Sequence, residues 1–149
     1  MNQLTRPTAV AEIAEQPCLV SSHALPLPAT FSFDSYGVQF NAMIQKSDTS
    51  VTHLVVSCDL GKVPYSVESK NLRRYLRAVV DAGTGLPMAK ITLDRSQGIE
   101  LRGTMIFPKT PSPAVVAAGT AAITISVKTI VEIIGTYRAG AKAHRRVLN

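Results

Sequence analysis

The most reactive side chains in this sequence are three histidines, His23, His53 and His144, and two cysteines, Cys18 and Cys58. Structural metal sites gather such groups a few residues apart. Here the histidines stand far apart and the cysteines form no C-x-x-C pair, so no metal site is marked out. A thiol nucleophile needs an imidazole within hydrogen-bond reach. His53 and Cys58 fall in one strand-like run, and their odd separation sends them to opposite faces. Cys58 therefore reads as a small buried apolar residue. Asp59, Glu68, Asp81, Asp94 and Glu100 lie at turns or on solvent faces, and no pair of them is singled out for proton transfer. Gly61-Lys62 lacks the upstream glycine and the following Ser or Thr of a phosphate loop. Gly83-Thr84-Gly85 closes a helix rather than opening one, so it is a turn and not a phosphate cradle. The reading is a binding protein without catalytic residues, metal or cofactor.

Charge offers a second kind of chemistry. The chain carries a net charge of +6 and a pI of about 9.6. Lys70, Arg73, Arg74 and Arg77 repeat at i, i+3, i+4 and i+7, and Arg138, Lys142, Arg145 and Arg146 lie near the end. Such a basic surface attracts nucleic acid or an acidic partner. Aromatic residues make up only 5% of the chain and Trp is missing, which argues against a base-stacking platform for single strands. The neighbours of the basic helix are strands, so no recognition-helix arrangement accompanies it.

The elements that position these groups follow from periodicity. A chain of 149 residues with 46% hydrophobic and 17% charged residues builds one globular domain. Thr8 to Glu15 has a short apolar stripe between Pro7 and Pro17, and Leu25-Pro26-Leu27-Pro28 reads as an extended arm. Phe31 and Phe33, then Val38, Phe40, Ala42 and Ile44, alternate with polar residues around a Ser35-Tyr36-Gly37 turn. Leu54, Val56 and Cys58 share one face of a third strand. Leu72, Tyr75, Leu76, Val79 and Val80 recur at helical spacing after a Ser66 or Ser69 cap. Ala89–Leu93 and Ile99–Phe107 form a late hairpin around Arg95-Ser96-Gln97-Gly98. A last helix is expected from Ala114 to Tyr137, its core stripe running through Val116, Ile123, Val127, Ile130, Val131 and Ile134.

The expectation is an α+β fold: a mainly antiparallel five-stranded sheet with helices, in the order (α)βββαββα. Its parts are a short helix and arm at 1–28, one domain at 29–138, and a flexible basic tail at 139–149. Lys128 and Glu132 break the last helix into an apolar run of about 14 residues, short of the roughly 20 that a membrane span needs. The first residues have no apolar stretch of the secretory kind. With so few cysteines, the expected location is cytoplasmic, in a bacterial-type cell.

Several motifs carry a family resemblance. Phe31-Ser32-Phe33-Asp34-Ser35-Tyr36-Gly37-Val38-Gln39-Phe40, Leu54-Val55-Val56-Ser57-Cys58-Asp59-Leu60-Gly61-Lys62-Val63-Pro64, Leu72-Arg73-Arg74-Tyr75-Leu76, and Ile91-Thr92-Leu93-Asp94 with Gly98-Ile99-Glu100-Leu101 resemble type III secretion chaperones of the Tir-chaperone-like family. The YbjN-like proteins share that fold. The resemblance covers about Phe31 to Tyr137. It departs from the family in its basic charge and at Val79-Val80-Asp81-Ala82-Gly83, where the family carries an Asn. It implies a homodimer that holds an unfolded segment of an effector-like partner in extended form, with apolar side chains in surface grooves. The candidate groove residues are Leu25, Leu27, Phe31, Phe33, Val38 and Phe40. Met43, Val55 and Ile106 point to the second face of the sheet, where a two-fold partner, or an extended arm of the same chain bearing Leu25 and Leu27, would cover them. The alternative function is a regulator that binds nucleic acid or an acidic partner through Lys70, Arg73, Arg74 and Arg77.

Overall fold

The alternating segments fold as strands and the two amphipathic segments as helices: β1 (Ala29–Ser35), β2 (Val38–Lys46), β3 (Thr52–Lys62), α1 (Lys70–Gly83), β4 (Ala89–Leu93), β5 (Gly98–Phe107) and α2 (Pro113–Val147). The computed structural model describes residues 25–47 and 50–147, with side chains as far as residue 138. The short helix expected at Thr8–Glu15 lies outside the described residues. The fold is α+β, with one antiparallel five-stranded sheet and two helices.

Sheet order is β1-β2-β3-β5-β4. The first three strands form a meander. Tyr36 and Gly37 turn the chain between β1 and β2 with φ of 52° and 75°, and Ser35 pairs with Val38 across them. Two positive φ values match the twist of a tight hairpin, and glycine takes the second at no steric cost. From β3 the chain crosses through α1 to the far edge, and β5 returns to fill the gap between β3 and β4. Ser69 caps α1, its Oγ accepting from the Leu72 N–H at 3.3 Å.

Strict alternation divides the sheet into two faces. Phe40, Ala42 and Ile44 of β2, Leu54, Val56, Cys58 and Leu60 of β3, and Ile99 and Leu101 of β5 are buried under the helices. Against them α1 sets Leu76 and Val80, and α2 sets Val116, Ile123, Val127, Val131 and Ile134. Closing this core removes apolar side chains from water, the main favourable term in folding. Pro113–Arg138 of α2 is long and apolar enough to cross a membrane by length and composition alone, with a mean hydropathy of 1.8. Its buried stripe here packs on the sheet as a core helix.

Two elements run further than their sequence pattern indicates. β3 continues past Cys58 to Lys62 through a bulge, where its register with β5 shifts between Asp59 and Lys62. The Asp59 carboxylate accepts from the Gly61 N–H at 2.6 Å, and Gly61 has a φ of 85°. A side chain there would also overlap the Arg138 guanidinium, which lies against Gly61. Strand pairing therefore runs on through Asp59 as far as Lys62. Likewise α2 does not stop at Tyr137 but continues to Val147, so residues 139–147, expected as a flexible tail, are helical. Ala139, Ala141, Lys142, Ala143 and Arg145 are strong helix formers, and the single Gly140 costs only about 1 kcal/mol.

Candidate functional site

α2 crosses the sheet over β3, β4 and β5. The helix-facing side of β1, at one edge of the sheet, is left as a shelf beside it. Between shelf and helix runs a groove of about 540 Å³. Ala29, Phe31 and Phe33 of β1 make its floor, and Val116, Ala117, Thr120 and Ala121 of α2 make its wall. The groove exists because α2 presents small side chains on this side: Ala117, Thr120, Ala121 and Thr124 recur at i, i+3, i+4 and i+7 and leave space that a row of leucines would fill.

The floor is an aromatic ladder. Phe33 stacks on Phe40 with centroids 5.3 Å apart and planes 7° from parallel, and Phe31 follows at 6.1 Å from Phe33. Phe31 remains 38% exposed and Ile125, on the opposite wall, 67%. Leu25 and Pro113 bound one end, and Tyr36 lies at the other. The Lys128 ammonium stands 5.8 Å from the centre of the Tyr36 ring, within the range of a cation–π contact. The lining is mostly apolar, with Asp34, Ser35, Thr120 and Thr124 as its polar residues, and the Thr120 hydroxyl is buried and makes no hydrogen bond. A polar atom left in that state costs about 1–3 kcal/mol. Its neighbour Thr124 donates to the Thr120 carbonyl at 2.7 Å.

The expected groove residues divide on this geometry. Leu25, Phe31 and Phe33 line the groove. Leu27 and Val38 are half-buried and pack on the core. Phe40 is 0% exposed; it supports the floor from beneath and offers no surface, because its strand position faces the helices at the second strand rather than at the edge. The α2 wall gave no sequence signal, since alanines and threonines on a helix carry no mark of a site.

Met43, Val55 and Ile106 share the opposite, open face. Met43 pairs with Val55, and His53 pairs with Ile106, which is 62% exposed. Polar residues surround them: Asn41 pairs with Ser57, Ser57 with Arg102, and Ser32 Oγ donates to Asn41 Oδ1 at 2.8 Å. His53 lies on this face and Cys58 is buried on the other, so the two do not meet. Among the described residues no group of three or more His, Cys, Asp or Glu is placed to hold a metal ion. Burial pushes the Cys58 thiol from 9.0 up to about 11, with the Asp59 carboxylate as a smaller cause, so it stays a neutral thiol at neutral pH.

The basic stripe on α1 is not uniform. Lys70, Arg74 and Arg77 are exposed. Arg73 turns inward: one guanidinium nitrogen donates to the Pro64 carbonyl at 3.0 Å and the other to Gln97 Oε1 at 3.1 Å. It ties the helix to the loop before it and to the β4–β5 turn. That turn is itself held by Asp94, whose carboxylate accepts from Gly98 N at 2.7 Å and from Ser96 Oγ. Those bonds lower its pKa, the Gly98 N–H first among them.

No protein-family model matches the chain, and no curated protein matches it. Among solved structures it is similar to the crystal structure of YbjN, a candidate transcription regulator from E. coli, at 9% identity, over 78% of this chain and 83% of that one, with a TM-score of 0.44.

Proposed function

We propose that this protein is a non-enzymatic binding protein whose β1–α2 groove holds an extended apolar segment of a partner polypeptide, in the manner of a secretion chaperone. The observation that carries the reading is the conjunction of an open aromatic floor with a sheet edge. β1 has β2 on one side, and among the described residues no strand pairs with its other side. An extended segment laid there gains main-chain hydrogen bonds from β1 and sets alternate side chains against Phe31 and Phe33. The open face, with Met43, Val55 and Ile106, is the proposed two-fold interface of a homodimer, and the cytoplasm is the proposed location. Arg73 is spent on internal bonds, which leaves the basic stripe shorter than its sequence suggests and disfavours a nucleic-acid reading.

The test is site-specific photocross-linking in the native cell. A photoreactive residue at Ile125 in the groove is compared with one at Thr104 on the open face. The reading expects a heterologous protein cross-linked from Ile125, with the contact mapped to an apolar segment. It fails if Ile125 captures no protein, or captures the same set as Thr104.

A further inference from the structure

Two tyrosines meet where α1 and α2 touch, far from the groove. Tyr75 belongs to a half-buried row on α1 with Leu72 and Val79, at the edge of the face that buries Leu76 and Val80. Tyr137 continues the α2 row of Ile130 and Ile134 at helical spacing. The two ring centroids are 3.9 Å apart and the planes 31° from parallel, closer than the roughly 4.5–7 Å usual for aromatic pairs. The hydroxyls lie at the same end of the stack: a hydrogen bond to Tyr137 is the main cause that raises the Tyr75 pKa, ahead of burial and the charge of Tyr137. With rings stacked and hydroxyls together, the carbons ortho to the two hydroxyls face one another. Tyr137 is 40% exposed, so the pair is open to an oxidant in solution. Competing electron donors are few, since the chain has no Trp and Cys58 is buried.

We propose that Tyr75 and Tyr137 form an oxidative modification site, where a one-electron oxidant of the haem-peroxidase class, driven by hydrogen peroxide, joins them as dityrosine. Each phenol gives one electron to the oxidant and its hydroxyl proton to water, leaving a phenoxyl radical spread onto the ortho carbons. The two radicals pair in a single C–C bond between facing ortho carbons. Each ring then returns the hydrogen at that carbon to its oxygen, which restores both phenols. Two electrons and two protons leave the protein, and one hydrogen peroxide takes them up as it becomes two waters. Coupling inside the chain outruns coupling between chains because the rings are already in contact. The product fixes α2 to α1 and closes a covalent loop through β4 and β5, which restricts the unfolded chain as a disulfide does. None of this depends on what the groove binds.

The test uses the full chain with Cys18→Ser, which removes a thiol that would quench the radicals. It is treated with a haem peroxidase and hydrogen peroxide at low protein concentration, and followed by dityrosine fluorescence and peptide mass spectrometry. The expected product is a single chain lighter by two hydrogens, with a peptide that joins Tyr75 to Tyr137. Its yield should fall at least about ten-fold in urea, where the rings are no longer held together. It should be lost in Tyr75→Phe and in Tyr137→Phe, which keep the rings and their packing. Tyr65→Phe should leave it unchanged, although Tyr65 is 65% exposed and the more accessible phenol. The joined chain should also unfold at a higher urea concentration than the untreated one. A covalent dimer through Tyr65 as the main product would overturn the proposal. So would equal yields in native buffer and in urea, or a chain folded by circular dichroism that forms no dityrosine.

Discussion

Replacing Gly103 with Ala should destabilise the protein, although alanine is ordinarily the better strand residue. Gly103 is buried at the centre of the sheet, paired with Val56 of β3 on one side and Ala89 of β4 on the other. Its helix-facing side lies directly under Ile123 of α2: an added Cβ would overlap the Ile123 Cγ2 methyl and stand 3.3 Å from the Met88 carbonyl. Ile123 is fully buried, so its methyl has no solvent to swing into and α2 must lift. Overpacking of this kind costs about 1–3 kcal/mol, against roughly 0.5–1 kcal/mol gained by removing a strand glycine. The net loss is up to about 2.5 kcal/mol, or up to ~10 °C in Tm for a chain of this size. Urea unfolding followed by far-ultraviolet circular dichroism reads it directly. The same substitution should be neutral or stabilising in an Ile123→Ala background, where the obstructing methyl is gone and the two changes couple. A higher urea midpoint for Gly103→Ala in the otherwise native chain would refute the helix-on-sheet contact.

Arg73→Ala, which removes both internal guanidinium bonds, should cost about 1–3 kcal/mol, whereas Arg74→Ala should stay within about 0.5 kcal/mol; thermal unfolding separates them. The raised Cys58 pKa means that the unfolded chain releases the thiol proton before the folded one does. The thiol's contribution is thus complete below pH 9.0 and is lost as pH rises through about 11. Wild type should therefore lose stability relative to Cys58→Ala across that window, and parallel pH profiles would count against the burial. Ile106→Glu should shift sedimentation equilibrium toward a 16.0 kDa species, and a wild type that stays at that mass at high concentration removes the dimer. A gel shift with duplex DNA should show no complex at moderate salt; salt-sensitive binding lost in an Arg74→Glu/Arg77→Glu variant would revive the nucleic-acid reading.

Faces were legible in the sequence because a strand has a period of two and a sheet covered on one side tolerates no slip. Leu54, Val56 and Cys58 announce the buried face of β3, and Met43, Val55 and Ile106 the open one, by alternation alone. Ser69 and the stripe through Leu76 and Val80 announce α1 in the same way. What stayed hidden depends on contacts between distant parts. The insertion of β5 between β3 and β4 leaves no local trace. Asp59 and Gly61 read as a turn, yet a bulge lets strand pairing run through them. Arg73 looks like one more surface cation, and its inward bonds depend on where Pro64 and Gln97 end up. The groove is legible only on its β1 side, where Phe31 and Phe33 alternate; its other wall is made by the smallness of Ala117 and Ala121, and missing volume has no signature in a single chain.

The strand order also sets a schedule for assembly. β1, β2 and β3 meet through short turns, and β4 and β5 form a local hairpin of their own, but the seam between β3 and β5 joins residues as far apart as Thr52 and Phe107. Closing a chain of that span costs roughly 3 kcal/mol of loop entropy before the seam returns anything. During synthesis the meander is complete long before Gly98–Phe107 has emerged. Through that interval the central strand of the finished sheet is an outer edge, with Leu54, Val56 and Cys58 uncovered and its backbone groups open to any passing strand. Self-association of nascent or refolding chains should therefore concentrate on β3, the strand best protected in the native fold, and substitutions that slow the β4–β5 hairpin should lower soluble yield more than their effect on final stability implies.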